Sequence, residues 1–416
     1  MSRLKTELRS LTRPELLFVL FAMLTGFCIS AEYSITRPAS NSIFLSVFSA
    51  KYLPHVWLVT IPLNFLLVSL YNWLLPKIGA LKMLLSISIS VIVINALCGL
   101  LLPLFPKLIF FHFCWKDLYI LLMFQQLWSM IHSTIPAARA KYLYGIIFGC
   151  GTAAMVLGSM IPIFFAVSLG SEKLFFLTVP IYLLLIFSYL RAYQVSKTTE
   201  VENSMRASTL QSFSFIVKNR YLLGVMGIVA FMQVFIALTE YQFNYFLEIQ
   251  TPLQDHRTAY FSGILCWVHL STVVLQIIGS LFLFSKVSIR SNQMLVPILL
   301  TLPVVGSVLN PCFAMVTLGY IVTKSVDWSI FGVTREMLYI PLTVDEKFRA
   351  KAIIDVFAYR TSKAVASLVL LSFQLYVGSS IFSYTKTTAF VILAAWLFLV
   401  VLLLRQPRPV ALETNI

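Results

Sequence analysis

Apolar runs long enough to cross a bilayer follow one another from residue 15 to residue 404, and they leave this chain few ways to fold. They fall at 15–35, 53–75, 80–105, 117–137, 143–169 and 174–194, and after a polar interval at 221–246, 258–283, 291–308, 311–333, 350–376 and 382–404. Each is near the roughly 20 residues a helix needs to traverse ~30 Å of hydrocarbon. The runs are continuous rather than alternating over about ten residues, which excludes a transmembrane β-barrel. Only 11% of the residues are charged and 59% are hydrophobic. Soluble domains carry about 25% charged residues, and one soluble core cannot absorb so much apolar surface. The expected fold is an all-α polytopic membrane protein of about 12 transmembrane helices, with the lipid bilayer as its partner.

The longest polar stretch divides the spans six and six. It predicts an N-terminal bundle at 1–195, a cytoplasmic linker at 196–220 with a candidate amphipathic segment at Leu210–Ile216, and a C-terminal bundle at 221–416. Two six-span halves of this kind make a major-facilitator-like two-bundle architecture, built for alternating access around a site between the halves. The positive-inside rule tests the topology. With the N-terminus inside, 21 of the 31 Lys and Arg fall on inner segments, 7 on outer loops and 3 within spans. Both termini are therefore expected in the cytoplasm. The same count explains the formal charge of +15 as a topology signal, so no nucleic acid partner is expected. The basic start before Glu15 lacks a small-residue cleavage site after it, and the first run reads as an uncleaved helix.

Catalytic signatures of soluble enzymes are missing. The sequence holds no P-loop, H-E-x-x-H, G-x-S-x-G or G-x-G-x-x-G, so neither an enzyme nor a cofactor is expected. The six cysteines lie in or beside apolar runs without a C-x-x-C pair, and the five histidines have no ligand spacing. The fifth run opens on Gly145-x-x-x-Gly149, followed by Gly151, Ala153, Ala154 and Gly158, a small-residue face that lets helix backbones approach closely.

Charge inside the apolar runs is the informative part. A charged side chain costs about +2.5 to +3.5 kcal/mol at a bilayer centre on insertion scales, so such groups turn inward, pair, or hold a polar cargo. Lys324 and Asp327 fall in one run, Asp355, Arg360 and Lys363 in the next, and Glu240 in the seventh. Arg37 stands at the outer end of the first run, and Arg335 with Glu336 at the edge of the tenth. Lys351, Asp355, Tyr359 and Lys363 follow one another at i, i+4, a stripe along one helix face. The cations near the spans slightly outnumber the acids, which favours an anionic or zwitterionic cargo. Arg suits a phosphate as a fork and Lys as a point charge. The candidate substrate-binding set is Arg37, Glu240, Lys324, Arg335, Glu336, Asp355, Arg360 and Lys363.

The stretch TREMLYIPL, followed by RAKAIIDVFAYRTSK, resembles the non-mitochondrial ATP/ADP translocases of plastids and obligate intracellular bacteria. Arg335, Glu336 and Met337 match their KEMAYIPL-like motif, Lys351, Ala352, Ile354, Asp355 and Val356 lie in the next, and Arg360 and Lys363 match the third. Weaker likeness takes in YSITRPASN with Arg37, the segment with Ala140, Lys141, Tyr142, Phe148 and Gly149, and Glu240. Ser40 and Asn41 replace a Lys and an Asp of the family pattern, Asn244 replaces a Lys, and Trp57 stands where the family tends to have a Lys. The resemblance implies a nucleotide exchanger, with Glu240 and Lys363 among its binding or coupling residues. A proton-coupled symporter of another anionic or nucleotide-like metabolite is the alternative on the same fold. A monomer is expected.

Overall fold

The computed structural model describes residues 12–135, 137–196, 219–279, 289–339, 354, 358–376 and 381–405. Among the described residues the regular structure is all helical: α1 Arg13–Phe48, α2 Leu53–Leu101, α3 Ile109–Thr134, α4 Ala137–Leu169, α5 Leu174–Val195, α6 Arg220–Gln250, α7 Gln254–Ile278, α8 Ile289–Leu309, α9 Phe313–Val326, α10 Gly332–Leu338, α11 Tyr359–Tyr376 and α12 Ile381–Arg405. A π-helical turn, Asp327–Phe331, joins α9 to α10. The expected linker at 196–220, including Leu210–Ile216, lies almost wholly outside the described residues.

Nine described stretches are long and apolar enough to cross a membrane. One of them, Ala50–Leu101, has 52 residues. At 1.5 Å per residue it rises about 78 Å, more than twice the hydrocarbon thickness. Gly79 divides it with φ 80 and ψ 161, a left-handed backbone that glycine adopts without a Cβ penalty. The two halves match the separate runs read at 53–75 and 80–105. Outside the nine stand α9 with 14 residues and α10 with 7, joined by the π turn, and the 18-residue helix α11. Counted this way, the helices are consistent with about twelve crossings.

Two boundaries differ from the sequence reading. Helix α1 runs through Pro38 to Phe48, so Arg37 lies within it rather than at its end. Helix α3 starts at Ile109 rather than near 117, which places Lys116 and Asp117 inside it. The reason is local neutralisation: Lys116 Nζ lies 3.0 Å from Asp117 Oδ1 and 3.7 Å from the centroid of the Phe113 ring.

The chain forms two compact units, one of Met1–Ser49, Pro62–Ser204 and Thr251–His269, the other of Ala50–Ile61, Met205–Gln250 and Leu270–Ile416. In the first, α1 is central and packs on α3, α4 and α5. Its start is fixed by a capping box, with the Thr12 side chain accepting from the Glu15 backbone N–H and the Glu15 carboxylate accepting from Thr12 N–H at 2.9 Å. From Thr25 to Leu45 nearly every α1 residue is buried, as a helix surrounded on all sides requires. The close approach comes from Gly151, where a Cβ would meet Ser30 Oγ at 3.2 Å, and Gly158. A Cβ at Gly158 would meet Ala31 O at 2.5 Å and Ala31 Cα at 2.8 Å, whereas Gly145 and Gly149 have nothing within 4 Å. In the second unit α6 is central, contacted by α9, α11 and α12, with α8 against α9 and α12.

Candidate functional site

The seventh-run carboxylate and the tenth-run lysine meet in the second unit. Lys324 Nζ on α9 donates to Glu240 Oε2 on α6 across 3.2 Å, with side chains only 10% and 17% exposed. Opposite charges are what allow both to sit among apolar helices. The Tyr320 ring, one turn before Lys324, has its centroid 5.9 Å from Nζ and stacks on Phe243 at 4.2 Å. Asn244, where the resemblance expects a lysine, donates from Nδ2 to the Glu240 carbonyl at 2.7 Å. It serves the helix backbone and adds no charge.

Directly after Lys324 the helix widens. The Gly332 N–H reaches back to the Asp327 carbonyl, five residues earlier, and the Ser329 hydroxyl donates to the Ser325 carbonyl in a short bond. Such π turns mark functional segments more often than chance. Neighbouring helices secure this one: Gln276 Nε2 of α7 donates to Trp328 O at 3.1 Å, and Gln293 Nε2 of α8 to Thr334 O at 2.6 Å. The wider turn carries Asp327 within electrostatic reach of both Lys324 and Arg335. Arg335 faces its neighbour Glu336 at 3.9 Å, a half-exposed and weak pair.

Lys363 on α11 is half-buried, and its Nζ lies 4.6 Å from the centroid of the buried Trp57 ring. A cation over an indole face is held by the ring quadrupole. The tryptophan that stands where a lysine was expected therefore covers the remaining lysine. Arg37 lies in the first unit, within electrostatic reach of His269. The structure thus brings Glu240, Lys324, Asp327 and Arg335 to one neighbourhood and places Lys363 on Trp57. Asp355 and the Arg360 side chain lie outside the described residues.

A second polar cluster escapes reasoning that starts from the C-terminal charges. Glu32 of α1 is fully buried in the first unit. It accepts from the Thr36 hydroxyl at 2.6 Å, the Tyr119 hydroxyl at 2.8 Å, Asn95 Nδ2 at 3.3 Å and the Tyr182 hydroxyl at 3.5 Å. The signal available in the sequence is a lone carboxylate in the middle of an apolar run, which is reason enough to suspect a role. Asp117 of α3 accepts from the Tyr33 hydroxyl of α1 at 3.3 Å. Among the described residues no group of His, Cys, Asp and Glu is arranged to hold a metal ion.

Helices of this number, with ionisable groups gathered inside them, define a polytopic helical membrane protein with a major-facilitator-like fold. Solved transporters bear this out at the level of fold. The chain is similar to the nucleoside transporter NupG, with a TM-score of 0.65 and 11% identity over 95% of this chain and 100% of that one. A POT family peptide transporter gives a TM-score of 0.69 at 11% identity, over 96% of this chain and 99% of that one. In sequence, residues 302–406 match the TLC ATP/ADP transporter family model. By that region, and by its relatives, the chain is similar to ATP/ADP transporters. It is 25% identical over 235 residues to ADP,ATP carrier protein 1 of Chlamydia trachomatis, covering 50% of this chain and 43% of that carrier. It is 20% identical over 344 residues to ADP,ATP carrier protein 3 of Rickettsia conorii, covering 70% and 68%. The match spans under half the length of the Chlamydia carrier.

Proposed function

We propose that the chain is a secondary carrier that exchanges nucleotides of the ATP/ADP type across a membrane by alternating access. The observation that carries this reading is the Lys324–Glu240 pair at 3.2 Å, whose lysine lies in the segment matching the TLC family. A lysine held inside a helix bundle by one carboxylate is a ready anion site. A phosphate oxygen can replace the Glu240 carboxylate on Nζ with the same charge-assisted hydrogen bond. The π turn keeps Asp327 and Arg335 close enough to rebalance charge when that exchange occurs. Arg335, Arg360 and Lys363 are the further candidate cations for a polyphosphate, and Arg37, Glu336 and Asp355 complete the candidate set. The six-span halves 1–195 and 221–416, the linker 196–220, a bacterial inner membrane, cytoplasmic termini and a monomeric carrier complete the proposal.

The test is uptake of labelled ATP into intact bacteria expressing the protein, followed by a chase with excess unlabelled ADP. Entry followed by rapid efflux on the chase is the expected result. A correctly inserted protein that admits no labelled ATP would overturn the assignment of cargo.

A further inference from the structure

Glu32 has no solvent exposure, and among the described residues all four of its partners are neutral. The surroundings supply no countercharge in contact. Helix α3 presents Tyr119 and His112, with Lys116 and Asp117 committed to each other at 3.0 Å. Helix α5 presents Tyr182, α2 the neutral Asn95, and α4 the small residues Gly151 and Gly158 with Cys150 beyond them. On α1 itself the ionisable neighbours are Cys28, Tyr33 and Arg37.

The network also fixes its own proton positions. Asn95 Nδ2 must donate to Glu32, and it reaches Thr178 Oγ1 as well at 3.1 Å. Asn95 Oδ1 therefore accepts, and it faces His112 Nε2 at 3.2 Å. His112 Nε2 therefore donates to Asn95 Oδ1, and its Nδ1 shares a hydrogen with the Ser40 hydroxyl at 3.2 Å. Among the described residues His112 thus reaches Glu32 through Asn95 and makes no hydrogen bond to the carboxyl itself. Around the carboxyl the two oxygens differ. Oε1 takes Thr36, Tyr119 and Asn95, which saturates it, while Oε2 faces the Tyr182 hydroxyl alone at 3.5 Å. An ionised carboxylate here would be a buried charge without an opposite one, the costliest arrangement for a polar group.

We propose that Glu32 is a proton-binding site: in this conformation its carboxyl carries a proton on Oε2, which reverses the Tyr182 contact so that the carboxyl donates and the hydroxyl accepts, and it releases that proton when water reaches the network. Nucleotide exchange does not require such a site, so the inference goes beyond the function proposed above. Infrared difference spectroscopy on the purified protein in liposomes tests it without any nucleotide, and failure of the exchange reading leaves it standing. The wild type is expected to show a protonated-carboxyl carbonyl band that shifts in heavy water, fades in a one-proton step as pH rises, and is lost in Glu32→Gln. Tyr182→Phe, which keeps Glu32 but removes the partner of Oε2, should shift that band and carries the test if Glu32→Gln does not fold. Absence of the band from the wild type, or its persistence unchanged in both variants, would overturn the assignment. A band that survives to the pH at which the protein unfolds would make Glu32 a fixed structural acid and overturn the release.

Discussion

Lys324→Met probes the central ion pair most directly. At 3.2 Å the gross attraction is about 5 kcal/mol for an effective dielectric of about 20, and desolvation of both groups offsets much of it. Screening by solvent is small, because the side chains are 10% and 17% exposed. Removing the lysine strands the carboxylate, and breaking a buried pair from one side costs about 3–5 kcal/mol. Glu240 keeps some exposure and further polar contacts, so the expected loss is near the lower end, about 3 kcal/mol. Glu240→Gln should cost less, since the lysine can extend toward solvent. The double variant Lys324→Met with Glu240→Gln should recover part of the loss, with a coupling of about 1–3 kcal/mol. Denaturation of the four purified proteins in one detergent reads the cycle, and their nucleotide uptake is measured in parallel. Additivity within about 0.5 kcal/mol would refute the pairing argument. A double variant that transports like the wild type would separate the pair from cargo binding altogether.

Two other perturbations test the packing and the aromatic cover. Gly158→Ala should destabilise the first unit by about 1–3 kcal/mol, because its Cβ would press on the Ala31 backbone at 2.5 Å. Gly149→Ala, with open space around it, should be neutral or gain up to about 1 kcal/mol from helix propensity, and thermal denaturation of both variants decides the matter. Trp57→Leu removes the ring 4.6 Å from the Lys363 ammonium and should cost about 0.5–2 kcal/mol. Combined with Lys363→Met, that loss should vanish, and additivity of the two would show that ring and lysine do not act on each other.

How much of this was legible in the sequence depends on what kind of interaction decided it. Span lengths are legible because a bilayer forces every backbone group into a helix of set length. The break at Gly79 between two crossings follows from the same constraint. The entry of Lys116 and Asp117 into α3 was not legible, since adjacent charges look like the end of an apolar run until they are seen neutralising each other on Phe113. The Gly145–Gly149 spacing drew the eye to a motif, yet packing uses Gly151 and Gly158, which face a helix more than 100 residues earlier in the chain. Glu240 and Lys324 could each be suspected alone. Their pairing spans 84 positions and follows only from the packing of α6 on α9.

The two polar clusters neutralise charge by different chemistry, and that difference limits how each can change state. Lys324 holds Glu240 as an ion pair, so its alternative is another anion on the same lysine. Glu32 has only neutral donors, so its alternative is a change of proton. Both resting arrangements keep net charge out of the helix interior, as the low dielectric demands. A nucleotide phosphate chain brings several negative charges, more than one lysine can balance once Glu240 is displaced. The proposed cargo therefore needs the remaining cations of the second unit. Of these, Arg335 lies 3.9 Å from Glu336, and Lys363 lies over an aromatic face. Weak resting partners of this kind are what a binding cation requires, because a strong partner would have to be displaced at full cost.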